Sequence, residues 1–178
     1  SPMPAQAFFP AHPPAMPAHV SLVCPQCTHL ASFEAPYWIL AQGEPPPGTG
    51  PVTAWQGRLV QARFPGQVPW EDPGNAALHP AARSRTLGVA VCAACGLVRR
   101  HLLDWPNDAF FRCDIQGRTL WAWNRSHLRS ILKALQGARG LREPSGFGPV
   151  KIPRHFLIAK HRSQALEAAT RLLESIRA

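Results

Sequence analysis

The sequence predicts an α+β fold, with antiparallel β-strands over roughly residues 20–123 and two α-helices after them. Apolar side chains alternate at Leu87, Val89 and Val91, which is the two-residue period of a half-buried strand. Phe110–Ile115 and Arg118–Trp123 flank the turn dipeptide Gln116-Gly117, a pattern typical of a hairpin. After residue 124 the apolar residues change to helical spacing.

Further strands are expected earlier in the chain. Leu30–Leu40 and Trp55–Phe64 each predict one strand. The segment 43–48 between them holds three consecutive prolines between glycines, which interrupts regular structure. Pro65–Ala82 contains six Pro or Gly residues and predicts a long loop. The first twenty residues are rich in Pro, Ala and His and predict a flexible arm.

Two helices are expected at the C-terminal end. The first carries a single apolar stripe at i, i+3, i+4 and i+7 and ends at Gly137; the stripe is Leu128, Ile131, Leu132 and Leu135. A loop is expected over Gly137–Pro153. The second helix is expected from about Ser163 to Ile176, with an inward face formed by Leu166, Ala169, Leu172, Leu173 and Ile176.

The cysteines predict a metal site. Cys24 with Cys27, and Cys92 with Cys95, form two Cys-x-x-Cys pairs separated by 64 residues. Two such pairs are typical of one zinc ion bound by four thiolates at about 2.3 Å. A redox pair, disulfides, and an iron–sulfur cluster that uses Cys113 as an extra ligand are the alternatives. Cys113 lies in an apolar run, so a buried and unreactive thiol is expected there.

The pairs Cys24–Cys27 and Cys92–Cys95 are called here the first and second knuckles. The residue that follows the pair differs between them. Gly96 follows the second knuckle, where a left-handed turn is needed, whereas Thr28 stands at the corresponding position of the first. A closed site of four thiolates leaves no coordination position for a substrate, so the metal is expected to be structural. The sequence contains no Ser-His-Asp, His-Glu-x-x-His or glycine-rich phosphate motif, and no enzyme is predicted. His101 with Asp104, and His127 with Cys113, are the weak candidate acid–base or nucleophile pairs.

Two segments resemble small bacterial zinc-ribbon proteins. Cys24–Cys27 followed by Phe33–Leu40 resembles the opening of CpXC-type domains. Leu120–Leu128, followed by the basic segments Ile152–Phe156 and Ala159–Arg162, resembles a C-terminal module of such proteins. The resemblance implies a zinc-stabilised fold and no established activity. The predicted organisation is therefore an arm over 1–20, an antiparallel β zinc-ribbon domain with a long insertion between the knuckles over 21–123, and a basic two-helix module over 124–178.

The net charge of +9 lies entirely in residues 91–178. A basic half favours an anionic partner, either nucleic acid or an acidic protein surface, although an Arg-rich solvated surface has the same composition. The candidate nucleic-acid-binding residues are Arg125, Arg129, Lys133, Arg139, Arg142, Lys151, Arg154, Lys160 and Arg162. The first three share a helix face at i, i+4 and i+8.

Other features bear on the partner and the compartment. Trp105, Trp121 and Trp123 lie near the basic region, where exposed rings would stack on bases, although packing in a core is the favoured interpretation. The arm over 1–20 and the loops at 43–52 and 65–85 suit the alternative, a protein-interaction adaptor or a subunit of a larger bacterial complex. No apolar stretch of about 18 residues is present, so no membrane span is expected, and a cytoplasmic location is the default.

Overall fold

A computed structural model describes residues 6–8, 16–44, 48, 50, 52–55, 58–65, 87–142 and 150–176. These residues form an α+β protein with antiparallel sheets and two C-terminal α-helices, as predicted. The strands are β1 (Gln6–Phe8), β2 (Val20–Val23), β3 (Leu30–Glu34), β4 (Tyr37–Leu40), β5 (Val52–Trp55), β6 (Arg58–Ala62), β7 (Leu87–Val91), β8 (Val98–Leu102), β9 (Phe111–Ile115) and β10 (Arg118–Ala122). The helices are α1 (Arg125–Leu135), a 3-10 helix (Arg154–Leu157) and α2 (Ala159–Glu174).

The chain divides into two compact units. The first unit comprises Ser1–Pro13 and Cys24–Asp104, and the second comprises Pro14–Val23 and Trp105–Ala178. This division differs from the predicted one, because the β9–β10 hairpin belongs with the two helices rather than with the earlier strands. The predicted flexible arm also contains a strand, β1, which pairs with β4.

Two antiparallel groups of strands build the first unit. One sheet has the order β1-β4-β6-β5, and in the other group β3, β7 and β8 are hydrogen-bonded in that order. Gly88 on β7 faces Phe33 on β3 so closely that a Cβ at Gly88 would lie 2.5 Å from the Phe33 Cζ atom. Glycine at this position therefore allows the buried Phe33 ring to lie directly against the β7 backbone.

The predicted strand Leu30–Leu40 is divided between the two groups, because the chain turns at Ala35-Pro36. Arg63 fixes this corner: its Nη1 donates to the Ala35 carbonyl oxygen at 3.0 Å, and its Nη2 donates to Glu34 Oε2 at 3.0 Å. The guanidinium also lies over the Trp38 ring, 4.3 Å from its centre. Tertiary contacts thus decide a bend that periodicity alone does not reveal.

The predicted single strand Trp55–Phe64 is wrong in its boundaries, because β5 and β6 form an antiparallel pair there. By sequence these strands are separated by Gln56-Gly57, the same dipeptide that separates β9 from β10. The Gln116-Gly117 turn has positive φ at both residues, 50° and 77°, which is the backbone of a type I′ hairpin. The predicted long loop at 65–85 falls almost wholly outside the described residues.

The second unit packs the β9–β10 hairpin against the helices. Asn124 caps α1, since its Oδ1 accepts the His127 backbone N–H at 2.9 Å, and Gly137 follows the helix with φ of 98°. The buried core is formed by Phe111, Ile115, Leu120, Ala122, Leu128, Ile131, Leu135, Phe156, Ala165 and Ala169. Burial of this continuous apolar core stabilises the unit.

Two features of the C-terminal segment differ from the prediction. The second helix begins at Ala159, four residues before the expected start, and its fully buried side chains are Ala165 and Ala169. The larger side chains expected to point inward, Leu166 and Leu172 among them, are only partly buried at the edge of the core. The 3-10 helix before α2 was not predicted, and part of the expected loop, residues 143–149, lies outside the described residues.

Candidate metal centre

The topology brings the two knuckles together. The first knuckle ends just before β3 begins, and the second starts just after β7 ends. Because β3 and β7 are antiparallel neighbours, with Ser32 opposite Val91, the start of one strand lies beside the end of the other. Both knuckles therefore lie at the same end of these strands, although 64 residues separate them in the chain.

The two knuckles have the same backbone hydrogen bond. The Cys24 N–H donates to the His29 carbonyl oxygen at 2.8 Å, and the Cys92 N–H donates to the Leu97 carbonyl oxygen at 2.8 Å. Each bond joins the first cysteine to the residue five positions later. The residue after the second cysteine is left-handed in both cases, with φ of 64° at Thr28 and 73° at Gly96. Thr28 therefore adopts the conformation that glycine adopts in the second knuckle.

The four sulfur atoms form one group. They all lie within 4.8 Å of one another, with 3.7 Å between the Sγ atoms of Cys24 and Cys95 and 3.6 Å between those of Cys27 and Cys92. A tetrahedron of thiolates about 2.3 Å from a central ion has edges of about 3.8 Å. A disulfide would instead require about 2.05 Å. The spacing and the donor set thus fit a tetrahedrally bound metal ion such as zinc.

Burial and charge make a cation favourable in this group. Cys24 and Cys92 are buried, while Cys27 and Cys95 are partly exposed. Burial raises the pKa of Cys24, but hydrogen bonds from the Cys27 and Gln26 backbone N–H groups outweigh it and lower that pKa to about 6. A backbone hydrogen bond from His29 lowers the pKa of Cys27, but burial and the three neighbouring sulfurs raise it to about 12.

The two pKa shifts have opposite directions because hydrogen bonds favour the Cys24 thiolate, whereas burial and the neighbouring sulfurs disfavour the Cys27 thiolate. One thiol of the group ionises easily, and its negative charge then makes the next ionisation costly. A divalent cation removes this repulsion and allows all four sulfurs to be thiolates. The four cysteines are therefore a group that could hold a metal ion.

Cys113 is not a member of this group. It lies on β9 and packs against the core of the second unit. Burial, and to a smaller extent the neighbouring Asp114 carboxylate, raise the pKa of Cys113 to about 11. A thiol with this pKa is a poor nucleophile at neutral pH, as expected from the sequence.

The two candidate catalytic histidines, His101 and His127, contact a neighbouring ring and the backbone, respectively. His101 is partly buried, with its ring edge-on to Phe33 at 6.3 Å between centres. His127 is buried, and its Nδ1 accepts the Trp123 backbone N–H at 3.2 Å, which fixes the turn from β10 into α1.

The predicted nucleic-acid-binding residues are mostly exposed. Arg129, Lys133, Arg139, Arg142, Lys151, Arg154 and Lys160 are exposed, and Arg125 is partly buried. Arg162 is also partly buried, and its Nε donates to the Leu135 carbonyl oxygen at 2.6 Å. That carbonyl belongs to the last turn of α1, so Arg162 joins α2 to the end of α1.

The three tryptophans of the second unit contact each other. Trp105 stacks on Trp123 at 4.4 Å between ring centres, and Trp121 is edge-on to both. All three are partly buried. Their mutual packing and partial burial agree with the expected packing role.

Sequence reasoning missed two exposed apolar residues, Leu157 and Ile158, which precede α2. A sequence signal was present, since they form an aliphatic pair inside the basic run 151–162.

Comparison of the chain with protein-family models, curated proteins and solved structures found no match. The resemblance to zinc-ribbon proteins therefore stays a prediction. Among the described residues, no helix has the length and apolar character that crossing a membrane requires.

Proposed function

We propose that Cys24, Cys27, Cys92 and Cys95 bind one structural zinc ion, and that the chain is a zinc-stabilised binding module of the zinc-ribbon type. The observation that supports zinc is the convergence of four sulfurs at tetrahedral spacing. Soft thiolate donors in tetrahedral geometry favour zinc over harder divalent ions. With four protein ligands the coordination is closed, so the ion stabilises the fold and activates no water.

We further propose that the second unit binds nucleic acid through its basic side chains. The second unit carries thirteen basic and five acidic side chains, a net charge of +8, while the first unit carries +1. This imbalance between compact units is the observation that supports the proposal. Exposed Arg and Lys side chains contact phosphates without a deep pocket and release counterions as they do so.

The proposed interface includes eight of the nine predicted basic residues. Arg129 and Lys133, one turn apart on α1, are exposed and lie on one face of the helix. Arg162 is left out because its guanidinium serves the packing of the two helices. Trp105, Trp121 and Trp123 are left out because their partly buried rings pack against each other. Binding is therefore expected to depend on phosphate contacts rather than on base stacking.

The test is a salt titration of binding to a fluorescent DNA duplex. The double variant Arg129→Ala/Lys133→Ala is compared with Arg58→Ala/Arg99→Ala, which removes the same charge from exposed positions of the first unit. Removal of a single phosphate contact lowers the slope of log K against log salt by about one. The first variant should lower the slope by about two, and the control should leave it unchanged.

Two outcomes would count against nucleic-acid binding. Equal slopes for the two double variants would mean that binding follows net charge alone. No duplex binding at low salt would leave an acidic protein partner as the better candidate, since an interface with an apolar centre depends less on salt. Circular dichroism on the same samples separates failure of the fold from failure of the interface, because α1 and α2 both lie in the second unit.

A further inference from the structure

The second unit exposes an apolar pair. Among its described residues, the only exposed large hydrophobic side chains are Leu157, at 46%, and Ile158, at 51%. They are neighbours at the junction between the 3-10 helix and α2. Two adjacent exposed aliphatic side chains cost solvation free energy that burial against a partner would recover.

A buried neighbour and two hydrogen bonds hold the turn that carries the pair in place. Phe156, the preceding residue, is 1% exposed and belongs to the core of the unit. His155 Nε2 lies 2.9 Å from the Ile115 carbonyl oxygen, and His161 Nδ1 lies 2.9 Å from the His155 carbonyl oxygen. A carbonyl only accepts, so both ring nitrogens donate. A pair held in this way loses little conformational entropy when a partner covers it.

The residues that flank the pair in sequence are basic. No acidic residue occurs between Lys151 and Leu166. Arg154 and Leu157 are three residues apart in a 3-10 helix and so lie on the same side, and Lys160 follows Ile158 in the first turn of α2. A partner surface that complements the pair and its basic neighbours is therefore apolar at its centre and negatively charged around it. A DNA duplex has this character, with phosphates flanking a stack of bases.

We propose that Leu157 and Ile158 insert between base pairs of double-stranded DNA from the minor groove and kink it, while Arg154 and Lys160 contact the flanking phosphates. The inference rests on the nucleic-acid binding proposed above and names the duplex as its substrate. Leu and Ile are among the side chains that act as such wedges, and the resulting bend brings more DNA against the basic surface. Flexible pyrimidine–purine steps are the expected sites, because they unstack most easily.

The test measures bending and binding separately. A duplex of about 30 base pairs with a central TA step, labelled with a fluorophore at each end, reports a kink as increased energy transfer. The variant Leu157→Ala/Ile158→Ala should abolish most of that increase in energy transfer. Its affinity should change by about tenfold or less, because the variant loses apolar packing but no longer has to unstack the base pairs. The matched control is Leu59→Ala/Leu102→Ala, at residues 50% and 56% exposed in the first unit, and it should bend DNA like the parent protein.

The outcomes distinguish the two proposals. Undiminished bending by the Leu157→Ala/Ile158→Ala variant, or no bending by the parent protein despite salt-sensitive binding, would overturn the wedge and leave nucleic-acid binding in place. Absence of duplex binding at low salt would overturn both. A parallel arm uses phosphatidylcholine vesicles containing phosphatidylglycerol. Vesicle binding that the variant loses, with duplex bending unaffected, would assign the pair to an anionic lipid surface and overturn the wedge.

Discussion

The two compact units differ in how they are held together and in charge. The first unit consists of short strands, and four cysteine sulfurs converge where its two knuckles meet. The second unit has a continuous apolar core built from one hairpin and the helices. The first unit is nearly neutral at +1, whereas the second carries +8. A metal ion can supply the stability that a small β unit lacks, whereas the second unit supports a high surface charge on a packed core.

Removing one metal ligand should produce the largest difference between the units. Cys92→Ser leaves three thiolates, and structural zinc contributes roughly 10 kcal/mol or more to the folding of small metal-dependent units. We expect zinc to be lost and amide hydrogen-exchange protection to collapse in β3, β7 and β8, with protection kept in α1 and α2. Cys113→Ser is the matched control and should retain zinc. Simultaneous loss of protection in both units would contradict the independence of the second core.

The reciprocal change removes a core side chain from the second unit. Phe156→Ala deletes a side chain that is 1% exposed, and loss of a buried Phe costs about 3–5 kcal/mol. Denaturant unfolding followed by the helical circular dichroism signal should detect this loss, because α1 and α2 both lie in the second unit. Zinc content should stay at one ion per chain. Zinc release by this variant at low denaturant would show that the two units are coupled.

The knuckles allow a smaller, paired test of backbone strain. Gly96 has φ of 73° with no atom within 4 Å of an added Cβ, so Gly96→Ala should cost only the left-handed conformation, about 1–2 kcal/mol. Thr28→Gly should instead stabilise the zinc-loaded protein by about 0.5 kcal/mol, because relief of strain is partly offset by the entropy of glycine in the unfolded chain. Thermal unfolding in the presence of zinc measures both changes. We expect Gly96→Ala to lower stability and Thr28→Gly to raise it. A loss of stability in both variants would mean that the contacts of Thr28 contribute more than its backbone strain costs.

The last prediction concerns the Cys113 thiol in the second unit. The pKa of Cys113 is raised from 9.0 to about 11, so at pH 8 its thiolate fraction, and its alkylation by iodoacetamide, should be about 100-fold below that of an ordinary thiol. Mass spectrometry should find no rapid adduct on the zinc-loaded protein, four after chelation, and five after denaturation.

The same shift predicts a loss of stability at alkaline pH. Because the pKa of Cys113 is raised in the folded state, the contribution of its protonated thiol to the free energy of unfolding is fully present below pH 9. This contribution is lost as the pH rises towards 11. Cys113→Ala should remove this part of the pH dependence in denaturant unfolding. Rapid alkylation of Cys113 at pH 8 would mean that its thiol is more accessible than the packing indicates.

Local patterns were sufficient to predict several elements. The β9–β10 hairpin follows from Gln116-Gly117 between apolar runs, and α1 follows from a stripe of four apolar residues that ends at Gly137. Turn residues, caps and periodicity act within a few residues, so these elements are encoded where they occur. Patterns did less well where strands turn, as at Ala35-Pro36, and where α2 begins.

By itself the sequence determined which cysteines pair locally, that the excess positive charge lies in the C-terminal half, and that strands precede two helices. Only the tertiary structure decided that Cys24 meets Cys95, that the hairpin joins the helical unit, that Arg162 caps α1, and that Leu157 and Ile158 remain exposed. The physical reason is the sequence separation of the residues that interact. A Cys-x-x-Cys turn or a helical stripe is set by neighbouring residues, whereas strand partners, buried faces and exposed pairs depend on contacts between residues tens of positions apart.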